Sequence, residues 1–158
     1  MPSVTVWRVV APSRVADPYS GEGARLAGWR FNSAGRPCVY AAASLSTALL
    51  EVLAHAGKFS RLQGHFAVPA ILDEGDVGTT DVSALPAGWD ARPHTSASQA
   101  VGDAWLADGR SLALRVPSVV VPVDWNVLLN PAHPAFARIN IGDPVPLPLD
   151  ARLLRSPG

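Results

Sequence analysis

A single cysteine, Cys38, excludes an intrachain disulfide in this chain of 158 residues, and a reducing compartment fits. Charge is also scarce. Thirteen basic and thirteen acidic residues cancel, and charged residues make up 16% of the chain, against roughly 25% in ordinary soluble domains. A cancelled charge gives no electrostatic case for nucleic acid as a direct partner. Mean hydropathy is positive at +0.17, so apolar surface is expected that a partner or a second copy covers, with a compact core as the competing explanation. No stretch approaches the roughly 18 uninterrupted apolar residues of a membrane span. The opening MPSVTVWRVV lacks the basic segment and long apolar run of a signal peptide. The expectation is a cytoplasmic protein without a membrane partner.

Several chemistries are missing as well. His55, His65, His94 and His133 form neither an H-E-x-x-H motif nor a close pairing with cysteine, so no metal site is expected. The acids Asp73, Glu74 and Asp76 lack the alternating spacing of a calcium loop and read as solvated. There is no phosphate-binding P-loop, no G-x-G-x-x-G and no G-x-S-x-G elbow. Cys38, followed by Val39 and Tyr40, reads as a buried and inert thiol. No internal repeat or low-complexity segment is present, and the length suits one domain over residues 1–158.

What is present gathers in residues 27–57. Ser44 is a candidate N-cap, Leu45 to His55 are good helix formers, and Gly57 is a stop signal. Leu45, Ala48, Leu49, Val52, Leu53 and Ala56 make an apolar stripe at helical spacing. At roughly 100° per residue, Glu51 lies about 140° from the centre of that stripe. A lone glutamate there is ordinarily solvated; the alternative is a partly dry crevice. Ahead of the helix, PCVYAA reads as a short strand that sends Val39 and Tyr40 to opposite faces. WRFNSAG places Arg30 among aromatic residues before a turn. Individually, Arg30 reads as a surface charge over Trp29 and Phe31, and Tyr40 as a core aromatic. Together with Glu51 they make a more specific set: a guanidinium for an anion, a ring for stacking, and a carboxylate for a sugar hydroxyl or developing positive charge.

The first strand, VTVWRVVAP, alternates Val4, Val6, Arg8 and Val10 on one face with Thr5, Trp7 and Val9 on the other. Arg8 interrupts an apolar face, where it must snorkel, pair with an acid or meet an anionic ligand. SRVADPYSGEGAR reads as a loop. QGHFAVPAIL reads as a strand, followed by an acidic, turn-rich connection. SASQAVGDAWLADG reads as a second helix capped by Ser96 or Ser98, burying Ala100, Val101, Ala104 and Trp105 and ending at Gly109. SLALRV is a strand whose pattern continues past Pro117 into SVVVPVDW, with breaks at the prolines. Ser118, at the first break, reads locally as a turn residue. Asn126 and Asn130 bracket VLL before the irregular NPAHP, and ARINIGDPVPLPLDARLL supplies a last strand.

GEGARLAGWRFNSAGRPCVYAAASLSTALLEVLAH resembles the amino-terminal signature of the RES domain family, whose pattern runs close to G-G-R-W-N-x-x-G, then V-Y-A, then an A-x-L-E-x-L helix. GDAWL at 102–106, LALRVPSVVVP at 112–122 and NVLLNPAHPAF at 126–136 resemble later family segments in the same order. The resemblance implies an ADP-ribosyltransferase-like α+β fold of two curved β-sheets packed together with flanking helices. It further implies a toxin of a toxin-antitoxin system that consumes NAD and is restrained by a cognate Xre-family antitoxin. Under it, Arg8 and Ser118 are pocket residues. Glu51, Arg30 and Tyr40 become the catalytic candidates, and Arg8, Arg30, Tyr40 and Ser118 the NAD-binding ones. No metal is required, and no cofactor beyond NAD as substrate. Trp29 stands where the family has a second glycine, and Phe31 where it has tryptophan, which reshapes the pocket mouth. The acceptor is open among water, phosphate and a protein side chain, so the activity is that of a glycohydrolase, a phosphorylase or an ADP-ribosyltransferase. A catalytically silent binding module of an antitoxin complex is the alternative from another class, and the low charge content adds an expectation of self-association.

Overall fold

Strand β1, Ser3–Val10, runs through the middle of the molecule in the computed structural model, which describes residues 2–155. The other strands are β2 (Val39–Ala42), β3 (Phe66–Asp73), β4 (Val77–Thr79), β5 (Ala113–Pro117), β6 (Trp125–Leu129), β7 (Asn140–Ile141) and β8 (Val145–Pro146). Three α-helices accompany them among the described residues: α1 (Glu22–Ala27), α2 (Leu45–Ala56) and α3 (Ser96–Asp108). The class is α+β, as the sequence implies. The two packed sheets that the sequence implies are the two halves of a single ladder. All eight strands join one ladder in the order β4-β5-β6-β2-β1-β3-β7, with β8 also on β3. One half of that ladder is joined to the other by the single pair Trp7↔Ala42 of β1 and β2. By contrast, β1 pairs with β3 from Ser3↔Asp73 to Val10↔Phe66. The narrow seam lets the halves fold onto each other, and Val6, Val10, Val68 and Ala70 of one half share a buried cluster with Val39, Ala41 and Val127 of the other.

Helix α2 forms for local reasons. The Ser44 hydroxyl accepts the Thr47 N–H at 3.1 Å, which satisfies one of the donors a helix start leaves unpaired. Gly57 closes the helix at φ +86°, a left-handed conformation that a side chain would strain. Leu45, Ala48, Leu49 and Val52 pack with Val9 and Trp7 on the outer face of β1.

Elsewhere the sequence expectations shift. Thr95, not Ser96 or Ser98, caps α3 through the Ala97 N–H. The buried positions of that helix are Ser98 and Gly102, while Ala100 and Ala104 are exposed. Close approach is the reason: a Cβ on Gly102 would lie 1.7 Å from the Phe31 carbonyl oxygen. Residues 118–124 are a turn rather than a continuing strand, because the Ser118 hydroxyl accepts the N–H groups of Val120 and Val121 at 3.1 and 3.0 Å. That side chain offers the backbone an alternative to the ladder, and β6 returns antiparallel to β5. The segment expected as a loop contains α1, and the acidic connection contains β4. No described helix is long and apolar enough to cross a membrane.

Candidate functional site

A cleft of about 970 Å³ opens where β1, β2, β6, α2 and the 27–31 segment meet. That is the upper end of the roughly 300–1,000 Å³ typical of small-molecule sites. Arg8, Arg30, Tyr40 and Glu51 all line it, so the four side chains expected to converge do so. Ser118 does not. It is fully buried behind Glu51, and its one O–H is donated to the Glu51 Oε1 at 2.6 Å. The expectation of Ser118 as a direct NAD contact is corrected: its hydroxyl holds the carboxylate.

Glu51 is held from two sides. Asn126 Nδ2 donates to the same Oε1 at 2.8 Å, so Oε2 is left to the cleft. Since a carboxylate can only accept, the Asn126 amide must present its NH₂ to Glu51. Its Oδ1 is then buried without a partner among the described residues. Sequence reasoning named Asn126 but gave it no role. The available signal was a polar amide at the start of a buried apolar run, in a segment already matched to the family pattern.

Arg8 is the strongest electrostatic feature. One of its terminal nitrogens donates to the Tyr40 carbonyl, its Nε is buried with no partner, and its guanidinium lies 5.8 Å from the Tyr19 ring centre. No carboxylate forms an ion pair with it among the described residues. Burial pulls its pKa below the ordinary arginine value. A buried, unneutralised guanidinium is costly for a fold, and an anionic ligand offsets that cost.

Arg30 is held differently. Its Nη1 donates to the carbonyls of Trp89 and Ala91 at 3.1 and 2.7 Å, leaving Nε and Nη2 for the cleft. Burial lowers its pKa, and the Glu51 carboxylate opposes that shift. The Tyr40 hydroxyl donates to Asn32 Oδ1 at 2.6 Å and accepts the Phe31 N–H at 2.9 Å. Burial pushes its pKa well up. With the hydroxyl occupied at both ends, the ring rather than the oxygen is what Tyr40 offers a ligand.

The loop carrying Arg30 is fixed by buried polar groups. Asn32, fully buried, donates Nδ2 to the carbonyls of Ala24 and Arg36 at 2.8 and 3.0 Å. Asp103 of α3 accepts the Ser33 N–H at 3.0 Å and the Ser33 hydroxyl at 2.5 Å. The N-S pair and the G-D pair of the sequence are thus two sides of one contact.

At the cleft mouth, Trp29 meets His55 and His94 edge-on, with ring centres 5.1 and 5.2 Å apart. His94 has its pKa lowered by burial and by Arg30. Cys38, also on the lining, is 1% exposed, and burial pushes its thiol up to about 12. Such a thiol is a poor nucleophile. No cluster of three or more histidine, cysteine or acidic side chains able to hold a metal occurs among the described residues. Asp73 instead caps a turn, and Glu74 pairs with Arg115 at 2.8 Å.

The RES domain family matches residues 5–150 of the chain. The chain is 34% identical over 152 residues to "Toxin Res" of Photorhabdus laumondii, covering 96% of this chain and 97% of the relative. It is 36% identical over 137 residues to the "Prs ADP-ribosylating toxin" of a Sphingobium species, covering 84% and 85%. Among solved structures, the M. tuberculosis MbcT-MbcA toxin-antitoxin complex contains a chain of the same fold, with a TM-score of 0.72, 22% identity, and 92% and 85% coverage.

Proposed function

The chain belongs to the RES domain family, and on that premise we propose that it is the toxin of a toxin-antitoxin pair and destroys NAD by cleaving the bond between nicotinamide and ribose. The observation that carries this reading is the pairing, in one cleft, of an unneutralised buried guanidinium, Arg8, with a doubly tethered carboxylate, Glu51.

The chemistry follows from that pairing. The bond from the ribose anomeric carbon to the ring nitrogen breaks, both electrons leave with nicotinamide, and positive charge spreads over the anomeric carbon and ring oxygen. Catalysis requires interactions that strengthen as that charge grows. Glu51 Oε2 accepts a ribose hydroxyl hydrogen bond and opposes the charge, and the Oε1 tether means no reorganisation is needed at that moment. Arg8, with the open face of Arg30, grips the diphosphate, and the Tyr40 ring stacks on nicotinamide. Water or phosphate then forms a new bond from its oxygen to the anomeric carbon, and in the case of water a proton is released.

A second reading has its own support: the Sphingobium relative is named as ADP-ribosylating, which favours a protein side chain as acceptor. One experiment separates the readings. Purified protein, freed of any partner, is incubated with NAD, and free nicotinamide, ADP-ribose, ADP-ribose phosphate and labelled protein are measured. Nicotinamide release lost in Glu51→Gln supports cleavage, and the accompanying product identifies the acceptor. No nicotinamide from the wild type supports a silent binding module instead. An Xre-family antitoxin is the proposed restraining partner, in keeping with the toxin-antitoxin complex formed by the structural neighbour. A cytoplasmic location suits an intracellular dinucleotide. Self-association accounts for the low charge content, and light scattering of the isolated chain tests it.

A further inference from the structure

The cleft is larger than the nicotinamide riboside half of a dinucleotide, and its second aromatic wall has no assignment so far. Trp29 is 41% exposed while lining the cleft. It belongs to none of the three buried clusters that hold the fold together. Tyr40, in contrast, packs against one of them. A large apolar ring left open in a concavity, and not used by the core, is the kind of surface a flat ligand covers.

Trp29 is also rigid. Its backbone N–H donates to the Asn32 carbonyl at 2.9 Å, and its backbone carbonyl accepts Gln99 Nε2 at 3.1 Å. The indole is braced on one side by His55 of α2, with ring planes at 87°, and on another by His94, at 61°. Bracing by ring edges fixes the side chain before a ligand arrives, so little rotamer freedom is lost on binding.

We propose that Trp29 is the stacking platform for the adenine ring of NAD, and that it makes this chain selective for the full dinucleotide over shorter nicotinamide nucleotides. The inference rests on the NAD-cleaving reading above. Glu51 and Tyr40 fix the nicotinamide riboside end; Trp29, at the mouth, takes the other flat ring. Arg30, the next residue along the chain, stands where the diphosphate passes between them.

The test compares two substrates with the same scissile bond, NAD and nicotinamide mononucleotide, in wild type, Trp29→Ala and Trp29→Phe. Stacking on an aromatic ring contributes enough that its removal lowers the ratio of kcat/KM for NAD over the mononucleotide by about tenfold or more. The loss falls on KM, and Trp29→Phe restores most of the ratio. An unchanged ratio in a folded Trp29→Ala variant, checked by its melting curve, overturns the proposal. A wild type that cleaves neither substrate defeats the NAD-cleaving reading separately. In that case calorimetric binding of AMP makes the same comparison: weaker binding to Trp29→Ala supports the platform, and equal binding overturns it.

Discussion

Ser118→Ala removes one of the two hydrogen bonds that fix the Glu51 carboxylate, at 2.6 Å, and leaves the Asn126 bond at 2.8 Å in place. A hydrogen bond to a charged group is worth about 1.5–3 kcal/mol. If it serves mainly to hold Glu51 for the transition state, kcat/KM for nicotinamide release falls by roughly 10- to 100-fold, at about 1.36 kcal/mol per decade. The substitution has a second effect. The Ser118 oxygen also accepts the N–H groups of Val120 and Val121, so their loss destabilises the turn by about 1–3 kcal/mol. At roughly 2–4 °C per kcal/mol for a chain of this size, the melting temperature drops by about 2–12 °C. Asn126→Ala removes the other tether without touching the turn. It should cost a similar factor in rate with a smaller change in melting temperature. Since both act through one carboxylate, neither should lower the residual rate of Glu51→Gln further. Steady-state nicotinamide assays and calorimetric melts on the wild type, the three single variants and the two double variants with Glu51→Gln give the answer. Ser118→Ala with wild-type kcat/KM and a lowered melting temperature would make Ser118 a turn residue only and refute the tether.

Three further outcomes follow from the same geometry. Arg8→Met keeps the shape of the strand face but removes the unneutralised guanidinium; NAD binding weakens at least about tenfold while the melting temperature changes little, and unaltered affinity in a calorimetric titration would contradict an anion-binding role. Gly102→Ala forces a Cβ to within 1.7 Å of the Phe31 carbonyl oxygen, so about 3 kcal/mol or more of stability is lost, read from urea midpoints. His94 has a folded-state pKa below its ordinary 6.5, so below pH 6.5 the unfolded chain takes up a proton that the folded chain refuses, and stability falls as pH drops through that window. His94→Asn should flatten that part of the stability profile, and a profile identical to wild type between pH 7 and the mid-acid range would show that another group causes it.

Helix α2 was legible to the residue because everything that starts and stops it is local: a serine oxygen within reach of the Thr47 N–H, and a glycine where the chain turns left-handed. Arg8 was legible as an anomaly, one cation in an apolar strand face, and Glu51 as the one acid on its helix. Ser118 and Asn126 were not, since their roles depend on Glu51, which is 67 and 75 residues away along the chain. The β-branched run in SVVVPV spoke for a strand, and one buried hydroxyl overrode it by taking two backbone donors for itself. The buried side of α3 was misread for a similar reason. Helical periodicity marks where apolar residues recur, whereas this helix meets its neighbour backbone at Gly102, where the requirement is for no side chain at all.

The polar contacts among these segments make the site a product of assembly rather than of any one motif. Arg30 reaches the cleft only because the turn after it is clamped, by Asn32 onto the carbonyls of Ala24 and Arg36, by the Tyr40 hydroxyl onto Asn32, and by Asp103 onto Ser33. Those clamps come from α1, β2 and α3 in turn, and each buried polar atom would be costly if its partner were absent. Undocking α3 therefore breaks the Asp103 clamp, releases the turn and displaces Arg30, even though no residue of α3 lines the cleft. By the same logic the Tyr40 ring and the Arg30 guanidinium are positioned together, because one buried amide, Asn32, ties the tyrosine hydroxyl to the turn that follows the arginine. A local opening of the 29–36 segment would displace Arg30 and strip the Tyr40 hydroxyl of both its partners in a single event, so the Arg30 share of anion binding and the fixed position of the Tyr40 ring should weaken together, while Arg8 on β1 keeps its place.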